Sequence, residues 1–181
     1  MTARIALIGG QGYPLTETQA GLPALKQRLN AKGIDTGKGP FKHTDRQAIR
    51  DWLYGCRGFR GLIGDSLGAG ASALYAGDLD GNVDFVGGFQ PSDWDPIAQG
   101  PTNNRVVVVA KNVLVAHCIW DPFFLETGGL GNAHYVISKG AKTVLTTTEH
   151  RGPHPDDWGY SQELMFNHVM QLVSKQVVKQ P

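Results

Sequence analysis

Short apolar runs alternate along this chain with longer segments of helical periodicity. Residues 4–8 form a short, mainly apolar run that a glycine cluster ends, and this pattern predicts a buried strand. Residues 59–64 and 83–87 are also short runs with mainly apolar residues and glycine, and residues 143–148 are rich in threonine, valine and leucine. We therefore expect each of these four runs to be a strand.

Apolar residues at helical spacing predict the helices. The segment 16–32 is followed by Gly33, a stop signal, and it places three leucines on one face: Leu22, Leu25 and Leu29. Helices are also expected at about 67–77, where small residues dominate, and at about 161–177. The apolar stripe of the last helix consists of Met165, Val169, Leu172, Val173 and Val177.

A further helix is indicated by a capping pattern at its N-terminus. Thr44 and Gln47 have the spacing of a capping box, in which each side chain bonds the other's backbone N–H, so a helix should run from there to about Cys56. The side chains expected on its inward face are Ala48, Ile49 and Trp52.

Two segments are harder to interpret. Residues 105–119 contain two β-branched runs separated by Lys111 and Asn112, which fit either a hairpin or a connecting segment followed by one buried strand. Residues 131–139 are expected to form a short helix. With these included, strands alternate with helices from end to end, which is typical of a three-layer α/β sandwich with a mostly parallel sheet flanked by helices.

The composition supports one domain spanning residues 1–181, with 41% apolar and 18% charged residues. The formal charge is only +1, from 17 basic and 16 acidic residues, which argues against nucleic-acid binding. No apolar run is long enough for a membrane span, and the start of the sequence lacks a secretory signal, so we expect a cytoplasmic setting.

The numbers and positions of the cysteines and glycines limit the kinds of functional site that this chain can form. Cys56 and Cys118 are the only cysteines, so a disulfide scaffold and a cysteine zinc site are excluded, and we expect both to pack as small apolar residues. Glycine, in contrast, accounts for 24 of the 181 residues, and it clusters after the predicted strands. Such clusters indicate sharp turns at strand ends.

One of these clusters, Gly64-Asp65-Ser66-Leu67-Gly68, fits the pattern G-x-S-x-G. It lies between a predicted buried strand and a predicted helix, where a tight turn would present the Ser66 hydroxyl at the carboxyl edge of the sheet. The backbone N–H of Leu67, at the start of the helix, would then face a developing oxyanion. The alternative is an ordinary small-residue crossing of strand and helix.

A nucleophilic serine needs a base and an acid that orients the base, and on α/β sheets these follow later strands in the order serine, acid, histidine. Asp121 follows the apolar run 113–119 and is the preferred acid, with Asp93 and Asp95 as rivals. His154, in the loop before the last helix, is the preferred base. His150, at the end of the preceding strand, is its rival.

The second oxyanion donor should come from the loop after the first strand, Gly9-Gly10-Gln11-Gly12, and Gln11 is our choice. A phosphate cradle of the dinucleotide-binding type is the rival interpretation. It is weak because Leu15 stands where G-x-G-x-x-G requires its third glycine.

At these residues the chain resembles the α/β-hydrolase superfamily, and its size makes it look like a small, lidless, cutinase-like member. The resemblance is specific at Gly64 to Gly68, and Asp121 and His154 match it by chain order and strand-end position. It implies a Ser–His–Asp acyl-transfer mechanism with no metal or organic cofactor. Gly64 to Leu67 also spell the GDSL motif of a different hydrolase class, which we reject because no aspartate here has a histidine three positions later.

The sequence therefore predicts an esterase-type serine hydrolase with a shallow site for small acyl esters or for an exposed ester on a larger substrate. A second hypothesis is a non-catalytic binding module on the same scaffold. Its recognition surface would be aromatic: Trp94, Trp120, Phe123, Phe124 and Trp158. A flavodoxin-like nucleotide-binding protein is a weaker third hypothesis.

Overall fold

The structure of the protein is a computed structural model that describes residues 2–10, 21–95, 100–101, 105–120, 133–150 and 158–178. In chain order its elements are β1 (Arg4–Gly9), α1 (Gly21–Ala31), β2 (Phe41–Lys42), α2 (Arg46–Leu53), β3 (Arg60–Asp65), α3 (Leu67–Tyr75), β4 (Val83–Phe89), β5 (Trp94–Asp95), β6 (Gly100–Pro101), β7 (Val106–Val109), β8 (Val113–Trp120), β9 (His134–Ile137), β10 (Val144–Glu149) and α4 (Trp158–Val178). A single 3-10 turn, Ala76–Asp78, follows α3.

A six-stranded sheet forms the centre of the described chain, in the order β2-β1-β3-β4-β8-β10. Each of its neighbouring pairs is parallel. Strand order reverses between β1 and β3, because the chain first adds β2 on one side of β1 and then builds outward from the other. In open sheets of this kind, ligands bind beyond the carboxyl ends of the strands at such a reversal.

Helices cover both faces of this sheet, which explains why its inner strands read as continuous apolar runs. Ile5 to Ile8 of β1 are all 0% exposed, so side chains on both faces of that strand are buried. One face packs against α1 and α4, chiefly through Leu22, Leu25, Leu29, Met165 and Val169. The other packs against α2 and α3, chiefly through Ile49, Leu53, Leu67 and Ala71. The predicted three-layer α/β sandwich is confirmed.

The helix predicted at 131–139 is wrong, because β9 occupies residues 134–137. Its partner is β7, and the two strands form a separate parallel pair. Tyr135 is buried, and its hydroxyl donates a hydrogen bond of 2.8 Å to the carbonyl of Ala69. Tyr135, Val136 and Ile137 are residue types that favour strands, and the valine run of β7 supplies the pairing partner.

The valine runs in 105–119 belong to different sheets, so the hairpin alternative is wrong. β8 is the one strand of this segment that joins the central sheet, while β7 packs beside α3 with Val107 and Val109 buried. The two-residue strands β5 and β6 form a small antiparallel pair of their own.

The capping box predicted at Thr44 and Gln47 is also wrong. Asp45 is the residue before the first turn of α2, and its carboxylate accepts a hydrogen bond from the backbone N–H of Lys42. The Gln47 amide instead donates to Asp51 along the helix. The helix ends at Leu53 rather than near Cys56, and Ala48, predicted to face inward, is exposed.

Both cysteines have free thiols; Cys118 is buried and Cys56 is half-buried. Within the described residues, no helix is both long and apolar enough to span a membrane.

Candidate active site

Ser66 alone connects β3 to α3. Its backbone has φ 52° and ψ −119°, a conformation that residues other than glycine rarely adopt. The turn is fixed from both sides: the Ser66 N–H donates to the carbonyl of Phe89 at 2.9 Å, and the Ser66 carbonyl accepts from the N–H of Ala69 at 3.0 Å. Although serine at this position commonly caps a helix through its side chain, this hydroxyl makes no capping hydrogen bond.

The flanking glycines are required by close backbone packing. A Cβ on Gly64 would overlap the carbonyl group of Gly68, and a Cβ on Gly68 would overlap the carbonyl group of Ile8 in β1. Strand, turn and helix can therefore pass each other at this distance only with glycine at both positions. An ordinary strand–helix crossing would explain the glycines but not the strained serine between them.

The loop that follows β1 begins against this turn. A Cβ on Gly10 would lie 3.0 Å from the Cβ of Ser66, 3.0 Å from the carbonyl oxygen of Asp65 and 3.5 Å from the backbone nitrogen of Leu67. Leu67 is the first residue of α3, whose first N–H groups have no acceptor within the helix. Gln11, the predicted second donor, lies outside the described residues.

A second serine, which the sequence analysis did not single out, contacts Ser66. Ser92 is 3% exposed, and its N–H donates to the carbonyl of Ser66 at 3.0 Å. The two hydroxyl oxygens are 3.4 Å apart. The sequence offers no local signal for this contact, because it joins residues on two different strand ends.

Asp65 is a buried carboxylic acid next to the nucleophile candidate. It is 5% exposed, and its Oδ1 has no hydrogen-bond partner. Because side chains alternate along a strand, it shares the face of Ile63, which packs toward α1 and α4. Burial raises the pKa of the Asp65 carboxyl to about 7, so near neutral pH a large share of it carries a proton.

The preferred acid and base, Asp121 and His154, lie outside the described residues. Their rivals are described: Asp93 directly follows Ser92 and is half-buried, as is Asp95, and His150 directly follows β10. The His150 N–H donates to the carbonyl of Trp120 at 2.9 Å, and its ring packs 5.4 Å from that of Tyr160. Strands β4 and β8 separate β10 from β3, a distance of three strand spacings, or about 14 Å.

His43 is a further histidine at this edge that the sequence analysis did not connect with the site. It follows β2, and the backbone of Gly9 and Gly10 forms hydrogen bonds with its ring. Burial nevertheless lowers the pKa of His43, since desolvation outweighs these bonds. Its place beside the β1 loop could not be foreseen, because a two-residue strand has no periodicity to detect.

Away from the strand ends, His117, which is buried, pairs with His168, which is half-buried. Their Nδ1 atoms are 3.0 Å apart, and Nε2 of His117 lies 3.0 Å from the hydroxyl of Thr148. The ring of His168 packs edge-on against that of Phe85. Burial, together with the neighbouring His168, lowers the pKa of His117 to about 4.

The described residues contain no group of three or more His, Cys, Asp or Glu side chains that could hold a metal ion.

Comparison with known proteins gives a likeness of fold only. No family model matches this sequence, and no curated protein matches it. Among solved structures, alpha/beta hydrolase domain-containing protein 10 from mouse is similar, with a TM-score of 0.56 and 13% sequence identity over 97% of this chain and 91% of that one. The chain therefore has the α/β-hydrolase fold.

Proposed function

We propose that this protein is a serine hydrolase of esterase type, which cleaves a carboxylic ester through an acyl-enzyme on Ser66. One observation carries the proposal: Ser66 holds a strained backbone between β3 and α3, flanked by two glycines that the packing requires. Strain of this kind persists where the surrounding structure imposes it, and it clusters at active sites. The turn also lies beside the reversal of strand order, where this type of sheet binds ligands.

In the proposed reaction, the Ser66 hydroxyl attacks the acyl carbonyl while His154 removes its proton and later returns it to the leaving group. Asp121 holds the imidazole in the required tautomer and stabilises its charge. The backbone N–H groups of Leu67 and Gln11 bind the oxyanion. The position of Leu67 at the start of α3 and that of Gly10 against Ser66 support this pair of donors.

Sheet geometry favours His154 over His150 as the base. The backbone of His150 is held at the end of β10, about three strand spacings from β3. A histidine four residues further along the same connection has the reach to return across the strand ends. Asp121 directly follows the last residue of β8, one strand closer to Ser66 than β10.

The substrate class follows from the short connections between most elements, which leave little room for a cap domain. We propose a shallow, exposed site of the lidless, cutinase-like kind, suited to small acyl esters or to an ester on a larger, accessible substrate. The mechanism calls for neither a metal nor an organic cofactor.

Hydrolysis of short p-nitrophenyl esters tests the proposal. Ser66→Ala should reduce kcat by about 1,000-fold or more while leaving the thermal unfolding transition cooperative. A wild-type protein that is folded but inactive on a panel of acyl chain lengths would contradict the proposal and favour a binding module.

Two matched pairs of variants then assign the acid and the base. We expect His154→Ala and Asp121→Asn to lose activity, and His150→Ala and Asp93→Asn to keep most of it. If His150→Ala is inactive and His154→Ala is active, the base is wrongly assigned. The corresponding result for Asp93 and Asp121 would reassign the acid.

A further inference from the structure

The loop after β4 places a second hydroxyl against the Ser66 side chain. Ser92 contacts Ser66 through two polar groups. Its N–H donates a hydrogen bond to the Ser66 carbonyl at 3.0 Å, and its Oγ lies 3.4 Å from the Ser66 Oγ. At 3% exposure, Ser92 has lost almost all contact with solvent. A buried hydroxyl is normally retained for a hydrogen bond, because leaving one unpaired away from solvent is unfavourable.

Backbone hydrogen bonds hold this loop in place. The N–H of Gln90 donates to the carbonyl of Ile119 at 2.7 Å, and the carbonyl of Pro91 accepts from the N–H of Ala133 at 2.9 Å. Gln90 has φ 45°, so that within the described chain Ser66 and Gln90 are the two non-glycine residues with positive φ. Ser66 directly follows β3 and Gln90 directly follows β4, the neighbouring strand in the sheet. The position of Ser92 is therefore set by the fold rather than by a bound substrate.

We propose, on the basis of the function proposed above, that Ser92 is a further catalytic residue whose hydroxyl donates a hydrogen bond to the Ser66 Oγ. The direction follows from the reaction: the Ser66 proton goes to the base, so toward Ser92 the Ser66 oxygen acts as an acceptor. Ser92 keeps its own proton throughout, and no bond to Ser92 forms or breaks. A separation of 3.4 Å is long for two hydroxyl groups, and it should shorten as the Ser66 oxygen gains negative charge.

The same hydrogen bond assists both halves of the reaction. During acylation it stabilises the negative charge that develops on the Ser66 oxygen as its proton leaves. During hydrolysis of the acyl-enzyme, that oxygen is the leaving group and gains negative charge again. Because the bond is strongest when this charge develops, its loss should lower kcat more than it changes KM.

Ser92→Ala tests the side chain alone, because alanine keeps the backbone N–H that donates to Ser66. Ser92→Thr retains a hydroxyl, and Ser72→Ala is the matched control. Ser72 is 0% exposed, and its Oγ donates to the carbonyl of Gly68 at 2.8 Å, so this control also removes one buried hydroxyl from the same region. Its hydroxyl bonds a helix carbonyl instead of the Ser66 side chain.

The readouts are kcat, KM and the unfolding temperature with a short p-nitrophenyl ester as substrate. Ser92→Ala should lower kcat about 10- to 100-fold with KM little changed, since hydrogen bonds to a charged group are stronger than those between neutral groups. Ser92→Thr should recover most of the lost activity. Ser72→Ala should keep a wild-type kcat even if its unfolding temperature falls.

Two results would overturn the role of Ser92 while the role of Ser66 stands. One is a Ser92→Ala variant with wild-type kcat. The other is an equal loss of kcat in Ser92→Ala and Ser72→Ala, which would show that a structural defect causes both. If the wild-type protein has no hydrolysis that depends on Ser66, the proposed function itself fails, and the two failures are thereby distinguished.

Discussion

The backbone of Gly68 lies so close to the carbonyl group of Ile8 that a Cβ at position 68 would overlap it. This contact fixes the distance between α3 and β1, and with it the place where Ser66 meets the loop that follows β1. Gly68→Ala should therefore destabilise the fold by about 3 kcal/mol or more and abolish the proposed esterase activity. Urea unfolding and ester hydrolysis check both effects.

Gly159→Ala is the control for this substitution, because a Cβ on Gly159 in α4 meets nothing within 4 Å. That variant should be as stable as the wild type or slightly more so, since alanine favours a helix over glycine by up to about 1 kcal/mol. Wild-type stability in Gly68→Ala would show that the close crossing is not as described.

The strain at Ser66 predicts an unusual order of stabilities. At φ 52° and ψ −119°, glycine removes a steric cost of about 1–3 kcal/mol, although it loses about 0.5–1 kcal/mol through greater freedom in the unfolded chain. Ser66→Gly should therefore be about 1 kcal/mol more stable than Ser66→Ala, and both should be inactive. Chemical denaturation of the two variants measures this difference. The opposite order would mean that the turn is unstrained.

The buried carboxyl of Asp65 should make stability fall as pH rises toward neutrality. Burial raises the pKa of Asp65 to about 7, whereas in the unfolded chain the pKa of an aspartate is about 4. Between these values the unfolded chain has released its proton and the folded protein still holds it, so the free energy of unfolding decreases with rising pH. Over the whole window the loss is roughly 3–4 kcal/mol.

Asp65→Asn removes this dependence. The stability of the variant relative to the wild type should rise between pH 4 and pH 8, as measured by urea unfolding at each pH. Asp80→Asn, at an exposed position, serves as the control. Parallel profiles for wild type and Asp65→Asn would contradict the burial of this carboxyl.

The histidine pair should contribute less to stability in acid than near neutral pH. Burial and His168 lower the pKa of His117 to about 4, and burial followed by the charge of Lys175 lowers the pKa of His168. As pH falls from about 6.5 toward 4, the unfolded chain takes up protons that folded His117 excludes, which removes stability on the order of 3 kcal/mol. Protonation of both rings would also break their Nδ1 hydrogen bond. The stability of His117→Gln relative to the wild type should therefore rise as pH falls from about 6.5 to 4, and a difference that stays constant over this window would contradict the burial of His117.

The parts of the fold that could be predicted from the sequence are those determined by residues close together in the chain. The apolar run of β1 is visible in sequence because both faces of that strand are covered. The glycines at 64 and 68 are visible because backbone packing permits no other residue. In contrast, β9 is only four residues long and pairs with β7 more than 20 residues away, so it is too short to show a periodic pattern.

The contacts of Ser92 could not be predicted from the sequence either, because they join residues that are distant in the chain. Ser92 meets Ser66 because β3 and β4 are neighbours in the sheet, and His117 meets His168 because α4 packs on that face. Such pairs depend on topology rather than spacing. Ser66 could be singled out from its motif, whereas its contact with the buried Ser92 could be found only from the arrangement of the strands.

Covalent labelling of Ser66 tests the central claim most directly. The folded wild-type protein is treated with a fluorophosphonate probe, and the modified residue is identified by peptide mass spectrometry, with Ser66→Ala treated in parallel. We predict a single label on Ser66 in the wild type and none in Ser66→Ala. A folded wild-type protein that stays unlabelled, or a label that persists in Ser66→Ala, would contradict the assignment of Ser66 as an activated nucleophile.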